Sequence, residues 1–128
     1  MRLPPLFHTQ PRPVQVQIAG LGPLLVGAVC GFLLDASAAG YWIVSVFGAV
    51  GGIAGGLEHR GARAGARRGI VAGVLFGIGM VSAHAISGRD PLVAIPSPSV
   101  LLIPITALVG TLLGAAGGAI RVRHEMSP

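Results

Sequence analysis

Residues 61–77 read GARAGARRGIVAGVLFG, and this segment is the clearest indication of how the helices of the chain pack. Glycine recurs at every fourth position, so in a helix these glycines lie along one face. The same spacing returns in GAVGGIAGG at 48–56 and in GTLLGAAGG at 110–118. Small residues four apart let the backbones of two membrane helices approach closely. The pattern therefore predicts glycine-lined helices that pack against one another in a lipid bilayer.

The same glycines argue against a water-soluble helical bundle. In water, each glycine inside a helix costs about 1 kcal/mol relative to alanine, and the sum approaches the stability of a typical domain, about 5–15 kcal/mol. In lipid the penalty is smaller, because an unpaired backbone there is costlier than a helical one. The residues predicted to make helix contacts are Gly27, Gly31, Gly48, Gly52, Gly56, Gly69, Gly73, Gly77, Gly110, Gly114 and Gly118.

Composition and charge distribution give the number of spans. The chain has 128 residues, of which 52% are hydrophobic and 10% charged, which is too apolar for an ordinary soluble domain. Uncharged intervals at 13–34, 36–57, 69–88 and 91–120 can each hold the roughly 20 residues that a membrane helix needs. We predict an all-α membrane protein: an irregular lead-in at 1–17, a four-transmembrane-helix bundle within 18–123, and a tail at 124–128. The predicted spans are about 18–34, 38–57, 69–86 and 100–120.

The arginines predict the orientation of the chain. Eight of the nine flank the predicted spans on one side and only Arg89 falls on the other. By the positive-inside rule, both termini and the loop around 58–68 are expected in the cytoplasm. One alternative stays open, since the small residues at 36–38 resemble a signal-peptide cleavage site, and cleavage there would leave three spans. Arginine without lysine, with abundant alanine and glycine, favours a multi-pass protein of a bacterial cytoplasmic membrane.

An internal repeat is a further hypothesis. The segments 48–56 and 110–118 match at five of nine positions, and arginine-containing tails follow both. The chain would then consist of two repeated helical hairpins of parallel topology. Low sequence complexity can produce the same match, so both explanations stay open.

Few polar residues offer chemistry. His84 is the one ionisable residue expected within a span, where such residues are functional candidates by default. The simpler interpretation is a neutral histidine that donates a hydrogen bond to a neighbouring helix. Glu58 and His59 end the second span, and Glu58 is either a carboxylate neutralised by nearby arginines or part of an ion or proton gate. The cluster Arg60, Arg63, Arg67 and Arg68 sets topology and suits anionic lipid head groups.

Other functional signatures are missing from the sequence. It contains no phosphate-binding loop, no nucleophile elbow and no zinc-ligand spacing, and its single Cys30 excludes an internal disulfide. We therefore expect no cofactor, no metal, no nucleic acid and no enzymatic activity. The leading hypothesis is a scaffold, assembly factor or accessory subunit that associates through glycine-rich helix faces. Its expected partners are the lipid bilayer and other chains, in a homo-oligomer or a larger membrane complex. The alternative is a small channel or transporter that acts as an oligomer.

Overall fold

Four long helices make up most of the computed structural model, which describes residues 2–128. They are α1 (Arg12–Ala36), α2 (Ala38–Leu57), α3 (Ala62–Ser87) and α4 (Leu102–Met126), the last preceded by a 3-10 turn at Ser99–Leu101. No strand occurs in the described part of the chain. All four helices are long and apolar enough to cross a membrane. The predicted all-α class, with four helices of the length and apolar composition that a membrane span needs, is confirmed.

The first helix begins earlier than the sequence pattern predicted. A 3-10 turn at Phe7–Thr9 and the first residues of α1 fall within the predicted irregular lead-in, whose first residue lies outside the described range. Pro13 occupies the first turn of α1. Proline is favoured there because its missing N–H would have no helical partner anyway. Prolines in the lead-in therefore start a helix that we had expected to begin at residue 18.

This early start puts Pro23 inside α1 instead of in its first turns. The turn before it, Gln17–Leu21, is a π-helix, in which the N–H of Gly22 donates to the carbonyl of Gln17 five residues back. Proline supplies no N–H and its ring crowds the preceding turn. A wider turn accommodates both effects without ending the helix.

Short capping signals separate the helices. The Ser37 hydroxyl accepts a hydrogen bond from the N–H of Gly40 (3.1 Å) and caps α2. Gly61, at φ +102°, precedes α3, and Gly88, at φ +62°, ends it in the left-handed conformation that favours glycine. Pro104 lies in the first turn of α4, where proline is tolerated.

The helices form a ring in the order α1, α3, α4, α2. The helix α3 packs extensively against α1 and α4, and α2 packs against α4 and α1 but has few contacts with α3. We call the end where α2 and α4 finish the arginine end, because Arg68 and Arg121 lie there. We call the opposite end, where α1 and α3 finish, the aspartate end after Asp35.

The distribution of side chains is the reverse of that in a water-soluble protein. Large apolar side chains such as Trp42, Phe47 and Leu112 are more than half exposed on the outside of the ring. The interior consists mainly of glycine backbone, with Cys30 and Leu34 fully buried. An apolar outer surface of this extent is expected where hydrocarbon surrounds the helices.

Candidate functional site

Glycines bring α3 and α4 into backbone contact along their length. A Cβ at Gly69 would overlap the carbonyl of Gly110, and one at Gly73 would overlap the carbonyl of Thr106. The same relation joins Gly65 with Gly114, Gly77 with Thr106 and Ile103, and Gly118 with Gly61. Helix backbones approach this closely only where side chains are absent.

The contact between α1 and α3 is built in the same way. Gly27 and Gly31 face the backbones of Phe76 and Met80, and a Cβ at either glycine would overlap the opposite carbonyl. Gly79, which the sequence analysis did not single out, lies equally close to Leu24. Spacing of four residues cannot reveal Gly79, because it lies two positions after Gly77.

Between α2 and α4 the backbones touch only near the arginine end. Gly56 meets the backbone of Gly114, and Gly117, also not singled out, meets that of Ile53. The other two predicted glycines of α2 face side chains: an added Cβ would lie 3.2 Å from Leu113 at Gly52 and 3.1 Å from the Phe76 ring at Gly48. All eleven predicted glycines thus lie between helices of a single chain.

At the aspartate end, His84 belongs to a three-residue polar cluster. Its Nδ1 donates to Oδ1 of Asp35 (2.7 Å), whose side chain is 1% exposed. Ser87 donates from its hydroxyl to the other carboxylate oxygen, so both oxygens of Asp35 are bonded to α3. Asp35 is thus buried against α3, although the sequence places it between two predicted spans. The cluster ties α1 to α3 where both helices end.

At the arginine end, Glu58 is buried, and the half-buried Arg68 acts on it through its charge. Glu58 is 9% exposed, and its Oε2 has no hydrogen-bond partner. Arg68 donates from Nη2 to the carbonyl of Ile18 (2.7 Å), but its Nε and Nη1 are buried and unpaired. In the described part of the chain the two side chains do not form an ion pair. Buried polar atoms without a partner are rare in folded proteins.

The surroundings of Glu58 disfavour its charge. Burial raises the pKa of the Glu58 carboxyl above its ordinary value, and the charges of Arg68 and His59 and the amide of Gln10 oppose the rise. The position of Glu58 next to the arginine cluster in the sequence predicts that these arginines neutralise its carboxylate. Within that cluster, Arg68 is the arginine whose charge acts on it.

The segment before α1 folds back across the arginine end. The N–H of Phe7 donates to the carbonyl of Glu58 (3.0 Å), and the Phe7 ring stacks on His59 with ring centroids 5.4 Å apart. Arg121, which is 7% exposed, donates from Nη1 to the carbonyls of Leu57 (2.6 Å) and Pro4 (2.9 Å). These contacts attach the segment before α1 to the arginine end of the bundle.

The remaining arginines of the predicted cluster point outward. Arg63 and Arg67 are exposed, and Arg60 makes an exposed ion pair with Glu125 at 3.6 Å. Such pairs stabilise a protein little. The structure therefore separates the cluster into three surface residues and one inward-facing residue, Arg68.

A cavity of about 560 Å³ lies inside the ring, between α2 and the other helices. Its wall runs from Tyr41 at the aspartate end of α2 to Glu58 and Arg68 at the arginine end. Glycines form much of the wall, including Gly48, Gly52 and Gly55 of α2 and Gly69, Gly73 and Gly110 opposite. Its size falls within the range of ligand-binding pockets, about 300–1,000 Å³.

Two further observations bear on function. Among residues 2–128 there is no group of three or more side chains suited to hold a metal ion. Comparison with protein-family models, with characterised proteins and with solved structures finds no match for this chain. The cavity, with Glu58 and Arg68 at its arginine end, and the separate Asp35 cluster at the aspartate end are therefore the features on which a functional proposal can rest.

Proposed function

We propose that this chain is a non-enzymatic integral membrane protein that acts as a small scaffold, assembly factor or accessory subunit. The observation that carries the proposal is the abundance of backbone contacts through glycine, while the buried charged side chains Asp35, Glu58 and Arg121 lie only near the ends of the helices. A bundle held this closely is suited to present a fixed surface to other proteins. Because most glycine faces are occupied inside the chain, they would build the scaffold, and other chains would meet its apolar exterior.

The setting of this function is part of the proposal. We place both termini and residues 58–68 in the cytoplasm, on the strength of eight arginines against one. The arginine-rich composition supports a bacterial cytoplasmic membrane, and the two similar glycine segments support an origin from two helical hairpins. Fusion of a reporter that is active only in the cytoplasm, after residue 61 and after residue 89, tests the orientation. Activity at residue 89 and not at residue 61 would reverse it.

Association is tested on the purified chain. We expect native mass spectrometry in mild detergent to show a defined assembly, either of identical copies or with a co-purified subunit. A chain that is strictly monomeric and retains no partner would overturn the scaffold proposal. As a matched comparison, Gly69→Leu should abolish folding of the chain itself, because Gly69 contacts another helix of the same chain. Loss of the assembly with retained folding in Gly69→Leu would instead place this glycine between subunits.

A second candidate function is a small channel or transporter. It is favoured by the cavity, whose arginine end carries Glu58 and Arg68, and by the Asp35–His84 pair at the opposite end of the bundle, outside the cavity lining. Ionisable groups at membrane depth commonly mark the path of an ion or proton. Flux into liposomes, measured for the native chain, His84→Ala and Glu58→Gln, decides between the two functions. A substantial flux that either substitution reduces supports transport, and equal background leakage in all three preparations removes it.

A further inference from the structure

The dimensions of the cavity restrict what can occupy it. From Tyr41 to Glu58 its wall on α2 extends about 25 Å at a helical rise of 1.5 Å per residue. A volume of about 560 Å³ over that length gives a mean cross-section of about 22 Å². A helix about 10 Å wide needs roughly 80 Å² and does not fit. One extended hydrocarbon chain does, and the apolar wall suits it.

The arginine end of the cavity adds a requirement for polar groups. Oε2 of Glu58 is a buried acceptor without a donor, and Nε and Nη1 of Arg68 are buried donors without an acceptor. Both residues line the cavity. A ligand that satisfies them needs an acceptor for Arg68 and a donor for Glu58 at the same end of its hydrocarbon chain.

We propose that the cavity binds one acyl chain of a phospholipid whose head group carries a phosphate and a primary ammonium, as in phosphatidylethanolamine. The phosphate accepts a charge-assisted hydrogen bond from one of the two unpaired donors of Arg68, Nε or Nη1. The ammonium donates to Oε2 of Glu58. The zwitterionic head group and the Glu58–Arg68 pair each have no net charge, and each charge of the head group faces the opposite charge of the protein.

Other lipid head groups fit less well. A phosphoglycerol group presents neutral hydroxyls and no cation to Glu58, so the charge of the carboxylate would stay unbalanced. A choline group is cationic but has no N–H to donate. Glu58 therefore selects the primary ammonium, and Arg68 binds the phosphate that all three lipids share.

The cavity has a lateral entrance for the lipid. The lining residues Phe47, Gly51, Ile105 and Val109 are also exposed on the outside of the ring. Phe47 and Gly51 on α2 and Ile105 and Val109 on α4 all lie on the aspartate side of the contact that these helices make through Gly56 and Gly117. The opening faces the hydrocarbon region, so the second acyl chain can remain in the bilayer.

This inference does not depend on the proposed scaffold function, because a channel or an accessory subunit can equally hold a lipid. The test uses delipidated full-length protein, titrated with phosphatidylethanolamine, phosphatidylcholine or phosphatidylglycerol of identical acyl chains and followed by native mass spectrometry. We expect phosphatidylethanolamine to bind about tenfold more tightly than either other lipid, as expected for a hydrogen bond to a charged group. Equal affinities, a preference for phosphatidylglycerol, or no stoichiometric binding of any of the three would each overturn the proposal.

Two variants test the two parts of the site separately. Glu58→Gln keeps the shape of the side chain and should abolish the preference for phosphatidylethanolamine over phosphatidylcholine. Gly51→Leu places a side chain in the cavity without meeting any atom within 4 Å at Cβ, and should weaken binding of all three lipids. Gly20→Leu is the matched control, since its Cβ also meets nothing within 4 Å and it lies outside the cavity wall. Unchanged preference in Glu58→Gln, or equal binding by the two leucine variants, contradicts the proposal. The Glu58→Gln result stands even if a leucine variant does not fold.

Discussion

The substitution Gly69→Ala tests whether glycine contact holds α3 and α4 together. The added methyl carbon would lie 2.6 Å from the carbonyl carbon of Gly110 and closer still to its oxygen. Carbon atoms in favourable contact are about 3.5–4.0 Å apart, so the two helices have to separate by roughly 1 Å. A gap of that size forfeits a quarter to a half of the contact energy of the atoms lining it. Because the helices are stiff, the neighbouring contacts at Gly65 and Gly73 weaken as well.

We expect Gly69→Ala to lower the free energy of unfolding by about 2–3 kcal/mol, within the range for overpacked interiors. Gly51→Ala is the matched control, because its Cβ meets no atom within 4 Å. The control should be neutral or gain up to about 1 kcal/mol from the better helix propensity of alanine. Reversible unfolding in mild detergent by added dodecyl sulfate, followed by circular dichroism, measures both. Equal stability of the two variants would refute the packing argument.

Three further predictions concern the polar groups. Replacing Asp35 by Ala removes the acceptor of both His84 and Ser87. It should cost about 1–3 kcal/mol of stability, and a double-mutant cycle with His84→Ala that shows no coupling would contradict the paired geometry. Because burial raises the pKa of Glu58, its contribution to stability is complete below pH 4.5 and is lost as the pH rises through the raised value. Melting temperatures from pH 4 to pH 8 should therefore fall more steeply for the native chain than for Glu58→Gln, and parallel curves would argue against a raised pKa. Replacing Arg121 by Ala leaves two carbonyls without their donor and frees the segment before α1, so limited proteolysis in that segment should become faster. Unchanged cleavage would mean that the remaining contacts at Phe7 suffice.

The number and approximate positions of the helices can be predicted from local sequence patterns. Apolar runs of about 20 residues, the charged islands between them and the glycine period are properties of neighbouring residues, and they predicted four spanning helices. The predicted start of the first helix was less accurate, because proline can either interrupt a helix or begin one. Pro13 falls in the predicted irregular lead-in but starts a helix, and Pro23, expected in the first turns of a span, lies inside α1 after a π-turn.

The polar clusters could not be predicted from the sequence, because each of them brings together residues that are far apart in the chain. His84 stood out in the sequence as an intramembrane histidine, whereas its partner Asp35 lies 49 positions away and looked like an ordinary loop residue. Arg68 likewise looked like one of four equivalent arginines. Only the fold turns it inward, where it lines the cavity and donates a hydrogen bond to the carbonyl of Ile18.

What the sequence determined by itself is therefore the class of protein: four glycine-rich helices that need lipid around them. Only the tertiary structure decided which faces meet, that α3 contacts both α1 and α4, and that a narrow cavity remains beside α2 with unpaired charges at one end. The physical reason is that the hydrophobic effect does not drive membrane helices together, since lipid is as apolar as their side chains. Which helices contact one another then depends on how closely their surfaces fit. Because all four helices carry small residues, the spacing of these residues in the sequence does not predict which helix packs against which.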